Sequence, residues 1–221
     1  RLSPRSYDLA SKYNVSMYTL YLSIFNVFMS KLCKQEDITL IFGISGRDSV
    51  DLENIIGIFV RPIFIKNTVT GDRNFDDFLM EVSGRVLDAM DHSIYPYEQL
   101  VNEYASHGEQ RNVVTVHFNA ITALGPVQGE TEPVAEEQLS TFETKLAKDD
   151  LTFQLVESGD RLHFNVEFNT DLFTEEKINL MIPSFQNIAD QIVAAPRAQV
   201  KDYSLGNGRD EELYRFHAVA D

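Results

Sequence analysis

The sequence has one cysteine, no tryptophan and no long uninterrupted apolar run. A single cysteine, Cys33, cannot form an intrachain disulfide, which is typical of a reducing, cytoplasmic location. We expect Cys33 to be a small buried hydrophobe. The longest apolar stretch, residues 17–32, is broken by polar side chains and falls short of the roughly 20 mostly apolar residues that a bilayer requires. The sequence therefore predicts no membrane partner.

Positive charge is also scarce. Nineteen Lys and Arg residues stand against 34 Asp and Glu residues, giving a formal net charge of −15. Nucleic-acid backbones and anionic membranes attract clustered Lys and Arg, so we expect no nucleic-acid partner. The remaining composition, 43% hydrophobic and 24% charged, is that of a globular protein, and 221 residues suffice for one large domain or two small ones.

Motifs that carry chemistry on their own are missing too. The five histidines are scattered without metal-ligand spacing, so we predict no metal site: His92, His107, His117, His163 and His217. We expect His117 to be a hydrogen-bonded structural residue and His163 to be exposed. The run from Gly43 to Gly46 resembles the nucleophile elbow G-x-S-x-G but lacks one residue, and no phosphate-binding glycine loop occurs. No catalytic residue is assigned.

Hydrophobic periodicity predicts a mixed α/β chain. In the first half the predicted elements are helices at residues 7–13, at 17–34 after an N-cap at Ser16, at 74–90 and at 96–104, and strands at 38–42 and 59–66. Pro62 removes a ladder donor, which predicts that its strand lies at a sheet edge or contains a bulge. Pro96 is predicted to be the first residue of its helix, with Glu98 complementing the positive end.

The second half contains a predicted strand at residues 113–119 and then a polar, acidic segment at 120–143, which we expect to bridge to another part of the protein. Alternating apolar residues around Gly159 predict a β-hairpin over residues 151–168. Thr174 is a suitable cap for a last helix that Pro183 should bend. Residues 201–221 are predicted to form a linker with a short helix.

Three segments, in this order, resemble the condensation domains of non-ribosomal peptide synthetases. The first is the helix NVSMYTLYLSIFNVFMSKLCKQ with EDITLIFGISGRD and ENIIGIFV, similar to the family's strand, Gly-Arg turn and Ile-Gly-x-Phe-Val motif. The second, HSIYPYEQL, resembles His-Gln-x-x-Pro-Phe-Glu-x-Leu, and the third, DLTFQLVESGDRLHFNVEFNTDLF, a closing hairpin. The resemblance spans residues 5–205. Single motifs of this kind are weak, but their common order and spacing indicate the family strongly.

The resemblance implies the fold and the activity. The expected fold is a two-layer α/β sandwich of a mixed sheet with helices, one half of a chloramphenicol-acetyltransferase-like pseudo-dimer. The family's catalytic motif, His-His-x-x-x-Asp-Gly, belongs to the N-terminal lobe and does not occur here. Residues 1–200 are therefore expected to form the C-terminal lobe alone, truncated and inactive by itself. This lobe would be one wall of a tunnel in which an acceptor amine attacks a donor thioester.

Residue roles follow from the same resemblance. The implied tunnel wall consists of Ser45, Arg47, Gly57, Phe59 and Arg61, although Arg47 is more typical of a turn anchor. The implied structural motif positions are Gly43, Gly46, His92, Pro96, Tyr97 and Glu98. Two departures from the family pattern stand out. Arg61 and Pro62 replace the family's Asn-Thr, which places a cation near the expected tunnel and bears on acceptor preference. The family's Arg-Asp-x-Ser-x-Asn-Pro-Leu segment is reduced to Arg111-Asn112.

The implied partners are the N-terminal lobe of the same domain, carrier (thiolation) domains and an adjacent adenylation domain. No cofactor is expected to bind this lobe, and the phosphopantetheine arms belong to the carriers. Two alternatives remain open: a non-catalytic module that docks a carrier protein, and a coenzyme A-dependent acyltransferase of the same superfold. The Ile-Gly-x-Phe-Val and Pro-Tyr-Glu segments favour the peptide-synthetase branch.

Overall fold

A single five-stranded mixed sheet organises the chain. The computed structural model describes residues 4–106, 115–122, 147–158 and 161–206. The strand order is β2-β1-β3-β4-β5, in which β1, β3 and β4 are parallel neighbours while β2 and β5 run antiparallel at the two edges. The described helices and strands follow one another along the chain in this order: α1 Pro4–Lys12, α2 Met17–Cys33, β1 Asp37–Ile44, α3 Val50–Glu53, β2 Arg61–Thr68, α4 Phe75–Asp91, α5 Tyr97–Ser106, β3 Val116–Thr122, β4 Leu151–Ser158, β5 Arg161–Phe168 and α6 Glu175–Ala194.

The core lies between one face of the sheet and the helices α1, α2, α4 and α6. Helix α2 is apolar on nearly every side and is buried along most of its length, as its composition predicts. Phe25 is at its centre, with ring centroids 4.9 Å from Phe118 and 4.8 Å from Phe153. Phe185 of α6 meets the same cluster edge-on. This aromatic packing fixes how both central strands sit against the helix layer.

Side-chain caps explain where the helices begin. The Ser16 hydroxyl accepts a hydrogen bond from the Thr19 backbone N–H at 3.0 Å, and Thr174 does the same for Lys177 at 3.3 Å. Both predicted caps are therefore confirmed. Helix α2 ends at Lys34, whose φ of 55° is the left-handed conformation usually given to glycine. The expectation that Cys33 is buried is wrong, because this helix end turns it towards solvent.

The predicted edge position of Pro62 is confirmed. Among the described strands, β2 pairs only with β1, so its outer side carries no hydrogen bonds to another strand. Pro62 lies opposite Gly43, and its missing N–H therefore removes no inter-strand hydrogen bond on that outer side. On the sheet face away from the main core, Ile41 is buried between its cross-strand neighbours Phe64 and His117. Tyr97 of α5 stacks on Phe64, with ring centroids 5.3 Å apart and planes at 14°.

Several predicted boundaries shift. Strand β2 begins at Arg61, since the chain at Phe59 and Val60 still belongs to the preceding loop. Pro96 is not the first helical residue: its carbonyl accepts the first helical bond, from Leu100 N–H at 3.2 Å, which makes it the cap position. Strand β3 continues through residues 120–122, where a polar excursion was predicted, and the rest of that segment lies outside the described residues.

The packed body also extends past residue 200. Tyr203 and Leu205 are buried in the main core, and the Tyr203 hydroxyl donates to the Ala195 carbonyl at 2.7 Å. The 3₁₀ turn Val200–Asp202 is tied to the start of α4 by the Val200 N–H, which donates to Arg73 O at 2.9 Å. Residues 201–206 thus close the core rather than leave it. The remainder of the predicted linker, and the predicted hairpin turn at Gly159, lie outside the described residues.

Candidate functional site

The connection between β1 and β2, residues 45–60, holds most of the predicted site. Its two arms cross at Gly46, which has a φ of +63°. A Cβ placed on Gly46 would lie 1.9 Å from the Phe59 carbonyl oxygen, well inside van der Waals contact. Only glycine permits both the left-handed backbone and this close approach. The Gly-Arg turn is therefore required by the path of the loop.

Arg47 holds the loop from inside. Its guanidinium donates to the Leu52 carbonyl, to the Ile55 carbonyl at 3.0 Å and to the Gly57 carbonyl at 3.4 Å. The same group lies over the Phe59 ring, 4.4 Å from its centroid. Three carbonyls and an aromatic face match the planar, multi-donor guanidinium, and a lysine would reach fewer of them. The interpretation of Arg47 as a turn anchor agrees with these contacts.

Arg61 begins β2 and forms an ion pair with Asp48. Its terminal nitrogen is 2.6 Å from the Asp48 carboxylate, and its side chain is 29% exposed against 64% for that of Asp48. The Nε of Arg61 is buried and has no hydrogen-bond partner among the described residues. The cation predicted near the tunnel is therefore paired with a mostly exposed carboxylate, and this weak pair joins the first arm of the loop to the strand.

The other predicted residues of the loop play smaller structural parts. The Ser45 hydroxyl accepts a 3.4 Å hydrogen bond from the Arg47 N–H. A Cβ on Gly57 would meet the Phe59 ring edge at 3.2 Å. At the root of the loop, the Gly43 N–H donates to the Asn119 side-chain oxygen at 2.9 Å, which ties β1 to β3 beyond their backbone pairing. The structure thus brings all five tunnel-wall candidates and both glycines into one loop and its root.

The second predicted segment, residues 92–98, connects α4 to α5. His92 caps the end of α4, with Nδ1 2.8 Å from the Asp88 carbonyl oxygen. Glu98 is exposed in the first turn of α5. The loop is braced instead by Glu103, whose carboxylate accepts from the Tyr95 hydroxyl at 2.8 Å and from Gln99 at 3.1 Å. At the start of α5 a bracing role for the Glu98 carboxylate was also conceivable, but the contacts to this loop are made by Glu103.

His117 approaches the same region from β3. Its Nε2 is 3.2 Å from the Asp149 carboxylate. Burial lowers the pKa of His117, and the opposing charge of Asp149 only partly offsets this. The contact is best described as a neutral imidazole donating an N–H to a carboxylate, which agrees with the predicted structural role. Burial and the charge of Asp149 also raise the pKa of Tyr97, so α5, β3 and the irregular segment that precedes β4 meet here.

Sequence patterns did not identify several partners in this region. Three contacts join predicted residues to partners 13, 76 and 32 positions away along the chain. These pairs are Arg61 with Asp48, Gly43 with Asn119, and His117 with Asp149. Such pairs depend on strand register, which no local periodicity encodes. Across the residues that the structure describes, no cluster of His, Cys, Asp or Glu is arranged to hold a metal, and no helix is long and apolar enough to cross a bilayer.

Sequence comparison finds a domain family and several peptide synthetases that this chain resembles. The family described as "Condensation domain" matches residues 5–213. Gramicidin S synthase 2 of Brevibacillus brevis is 30% identical over 217 residues, which cover 96% of this chain and 5% of that protein. Tyrocidine synthase 3 of Brevibacillus parabrevis is 32% identical over 207 residues, covering 92% of this chain and 3% of that protein. The chain thus spans only a few per cent of the curated relatives that it matches.

Solved structures share the fold. A four-domain nonribosomal peptide synthetase bound to AMP and glycine superposes with a TM-score of 0.79 at 20% identity, covering 95% of this chain and 17% of that one. The first condensation domain of the calcium-dependent antibiotic synthetase gives a TM-score of 0.76 at 15% identity, covering 92% of this chain and 44% of that one. With the family match over residues 5–213, these findings show that the chain belongs to the condensation-domain family.

Proposed function

We propose that the chain is the C-terminal lobe of a peptide synthetase condensation domain, half of an acetyltransferase-like pseudo-dimer. The observation that carries this proposal is the superposition of 92% of the chain on 44% of a solved condensation domain. The lobe forms one wall of a tunnel in which the amine of an acceptor aminoacyl group attacks a donor thioester. Both substrates reach the tunnel on the phosphopantetheine arms of carrier domains, in a cytoplasmic synthetase that also contains an adenylation domain.

The chemistry that this wall supports is positioning. Holding amine and thioester side by side turns a bimolecular aminolysis into an effectively unimolecular step, worth up to about 7–11 kcal/mol in favourable cases. The braced loop suits this task, because Arg47 fixes its shape from within and Gly46 cannot be replaced without moving its arms. The motif His-His-x-x-x-Asp-Gly does not occur in the 221 residues, so proton handling at the amine belongs to the other lobe.

Of the tunnel-wall candidates, Ser45, Arg47, Gly57 and Phe59 shape the loop, and Arg61 is the one that bears on acceptor choice. Its partner Asp48 is mostly exposed, so the pair is weak and its geometry responds to a nearby charge. Arg61→Asn in the complete domain is expected to change the relative rates of anionic and neutral acceptors while leaving the melting temperature within a few degrees. Unchanged relative rates would remove Arg61 from the tunnel wall.

The proposed function is tested by aminolysis between two loaded carrier proteins, read by intact-mass spectrometry. The reaction is run with this chain alone, with the separately produced preceding lobe, and with both. We expect product only when both lobes are present. Turnover by this chain alone would contradict the proposal, whereas carrier binding without turnover in any mixture would favour a docking module. Transfer from coenzyme A thioesters in place of carriers would favour the other acyltransferase branch.

A further inference from the structure

The outer edge of strand β2 has no strand partner among the described residues. In an antiparallel pair, the backbone groups of successive residues point alternately towards the partner strand and away from it. The Val69 N–H donates to the Glu36 carbonyl at 2.7 Å, which continues the β1–β2 pairing and places the odd-numbered residues of β2 on the inner side. The backbone groups that point outward therefore belong to Pro62, Phe64, Lys66 and Thr68.

This edge has the composition of a strand that pairs readily. Ile63, Phe64 and Ile65 at its centre are β-branched or aromatic and carry no charge. An exposed edge of this kind offers its N–H and C=O groups to another strand, and natural proteins usually block such edges. Pro62 supplies one block because it has no N–H. The Phe64 N–H and C=O, in contrast, have no partner among the described residues.

Arg85 of helix α4 occupies the space beside this edge. Its guanidinium donates to the outward-pointing carbonyl of Lys66. A hydrogen-bonded nitrogen lies about 3 Å from the carbonyl oxygen, and the backbone of an added strand would run about 4.8 Å from that of β2. The guanidinium and an added strand therefore exclude each other. The Arg85 side chain is 41% exposed, so it lies at the surface from which such a strand would approach.

Glu81 holds Arg85 in this position. Its carboxylate is 2.7 Å from the Arg85 guanidinium, one helical turn away. The second oxygen of the same carboxylate binds Arg73, whose guanidinium also donates to the Asp77 carbonyl at 3.0 Å. Charges that form a network fix surface side chains better than an isolated pair does. The described side-chain contacts of Arg73 are all with residues of α4, whereas Arg85 reaches β2.

We infer that the outer edge of β2 is a strand-addition surface for a second copy of this chain, and that Arg85 blocks it. A second copy is the fitting occupant because β2 matches itself. In an antiparallel pair centred on Phe64, that residue lies opposite its own copy and Lys66 lies opposite Pro62. No two cations then face each other directly, and the two-fold arrangement closes as a dimer. The inference goes beyond the proposed reaction and does not depend on it.

This register also defines which backbone groups take part. The two Phe64 residues exchange both of their hydrogen bonds, and each Lys66 N–H donates to the opposite Pro62 carbonyl. The Lys66 carbonyl would face Pro62, which has no N–H to give it. Arg85 therefore opposes pairing by occupying space and not by competing for a hydrogen bond that the dimer needs.

The first measurement is the mass of Arg85→Met in solution, by analytical ultracentrifugation of the chain over a range of concentrations. Methionine keeps a long, helix-favouring side chain but removes the guanidinium. We expect the mass to rise about twofold relative to the parent as the concentration increases. Arg73→Met is the matched control, because it removes the other arginine bound to Glu81 and leaves the contact with β2 in place. It should have the mass of the parent.

Amide hydrogen exchange then identifies the surface that pairs. In associated Arg85→Met, the Phe64 and Lys66 amides should exchange about tenfold more slowly than in the parent. The Thr68 amide lies beyond the paired register and should not change. Adding Lys66→Pro removes one donor from each copy and should restore the mass of the parent. Both arginine variants alter surface side chains, so their melting temperatures should stay within about 1–2 °C of the parent and show that they fold.

Each contrary result has a definite meaning. A folded Arg85→Met chain that keeps the parent's mass at every concentration would overturn the inference. Association of the parent with slow exchange at Phe64 would also overturn it, because the edge would then be open despite Arg85. Equal association of Arg73→Met, or association of Arg85→Met without slower exchange at Phe64, would place the contact elsewhere and refute the assignment. Aminolysis is measured separately, so failure here leaves the proposed function standing.

Discussion

Replacing Gly46 with alanine tests whether the loop of residues 45–60 has one enforced path. Two costs add. The left-handed backbone disfavours alanine by about 1–2 kcal/mol. The new Cβ would lie 1.9 Å from the Phe59 carbonyl oxygen, so the two arms must separate by more than an ångström, and overpacking of this kind costs about 1–3 kcal/mol more. We expect a total destabilisation of about 2–5 kcal/mol if the loop stays closed.

Thermal unfolding of the chain measures this cost. For a domain of 150–250 residues, each kcal/mol lowers the melting temperature by roughly 2–4 °C, so Gly46→Ala should lower it by about 4–20 °C. If the loop opens locally, the global loss will be smaller, and the cost will appear instead as faster hydrogen exchange and proteolysis within residues 47–60. Both readouts therefore belong to the same experiment.

Gly84 is the matched control. It lies in the interior of α4, is exposed, and a Cβ there would meet nothing within 4 Å. Gly84→Ala should therefore stabilise the chain by about 0.5–1 kcal/mol through the lower entropy of its unfolded state. If Gly46→Ala were as stable as the parent and its loop equally protected, the arms would not cross as described and the argument for a preformed loop would fail.

Three further predictions follow. Asn67 donates a hydrogen bond to the Asn26 side-chain oxygen at 3.3 Å in the core. Asn26→Leu should therefore lower the free energy of unfolding, measured in urea, by about 1–3 kcal/mol, and adding Asn67→Leu should recover part of that loss. Strictly additive effects of the two substitutions would contradict the contact. Lys34→Gly should raise the melting temperature by 1–3 °C, since Lys34 holds a left-handed φ; no gain would mean that the residue is unstrained. Burial lowers the pKa of His117, so His117 binds a proton more readily in the unfolded chain and contributes stability above pH 6.5 that is lost as pH falls. His117→Gln should flatten that part of the pH dependence of stability measured by urea unfolding, and an unchanged slope would refute the prediction.

Local patterns sufficed for elements whose cause is local. The caps at Ser16 and Thr174, and the hairpin partners β4 and β5, follow from side chains a few residues apart. The edge position of β2 followed from one atom that Pro62 lacks. Cys33 was misplaced because its expected burial rested on the general tendency of free cysteines to be buried, whereas its actual position is the exposed last residue of α2.

The candidate site was predictable as a segment but not as a set of contacts. The resemblance identified residues 43–61, and the structure shows that Arg47 acts on backbone carbonyls of its own loop. No pattern in the sequence distinguishes this from a guanidinium that faces a substrate. The partner of Arg61 and the residue that braces the second segment, Glu103, depend on how the chain folds back, so their identification needed coordinates.

The sheet itself explains why these pieces gather at one place. Strands β1, β3 and β4 are parallel neighbours, so their carboxyl ends lie at the same end of the sheet, and antiparallel β2 begins at that end. The loop of residues 45–60 follows β1 there, and the chain also leaves β3 at that end. In open sheets the loops at this end are free to form a binding surface, since strand packing does not constrain them. The Gly43–Asn119 hydrogen bond also lies at this end of the sheet and links β1 to β3 where the two strands finish. An insertion or charge change on the helix layer should therefore alter stability, whereas one at this end of the sheet should alter binding by the chain.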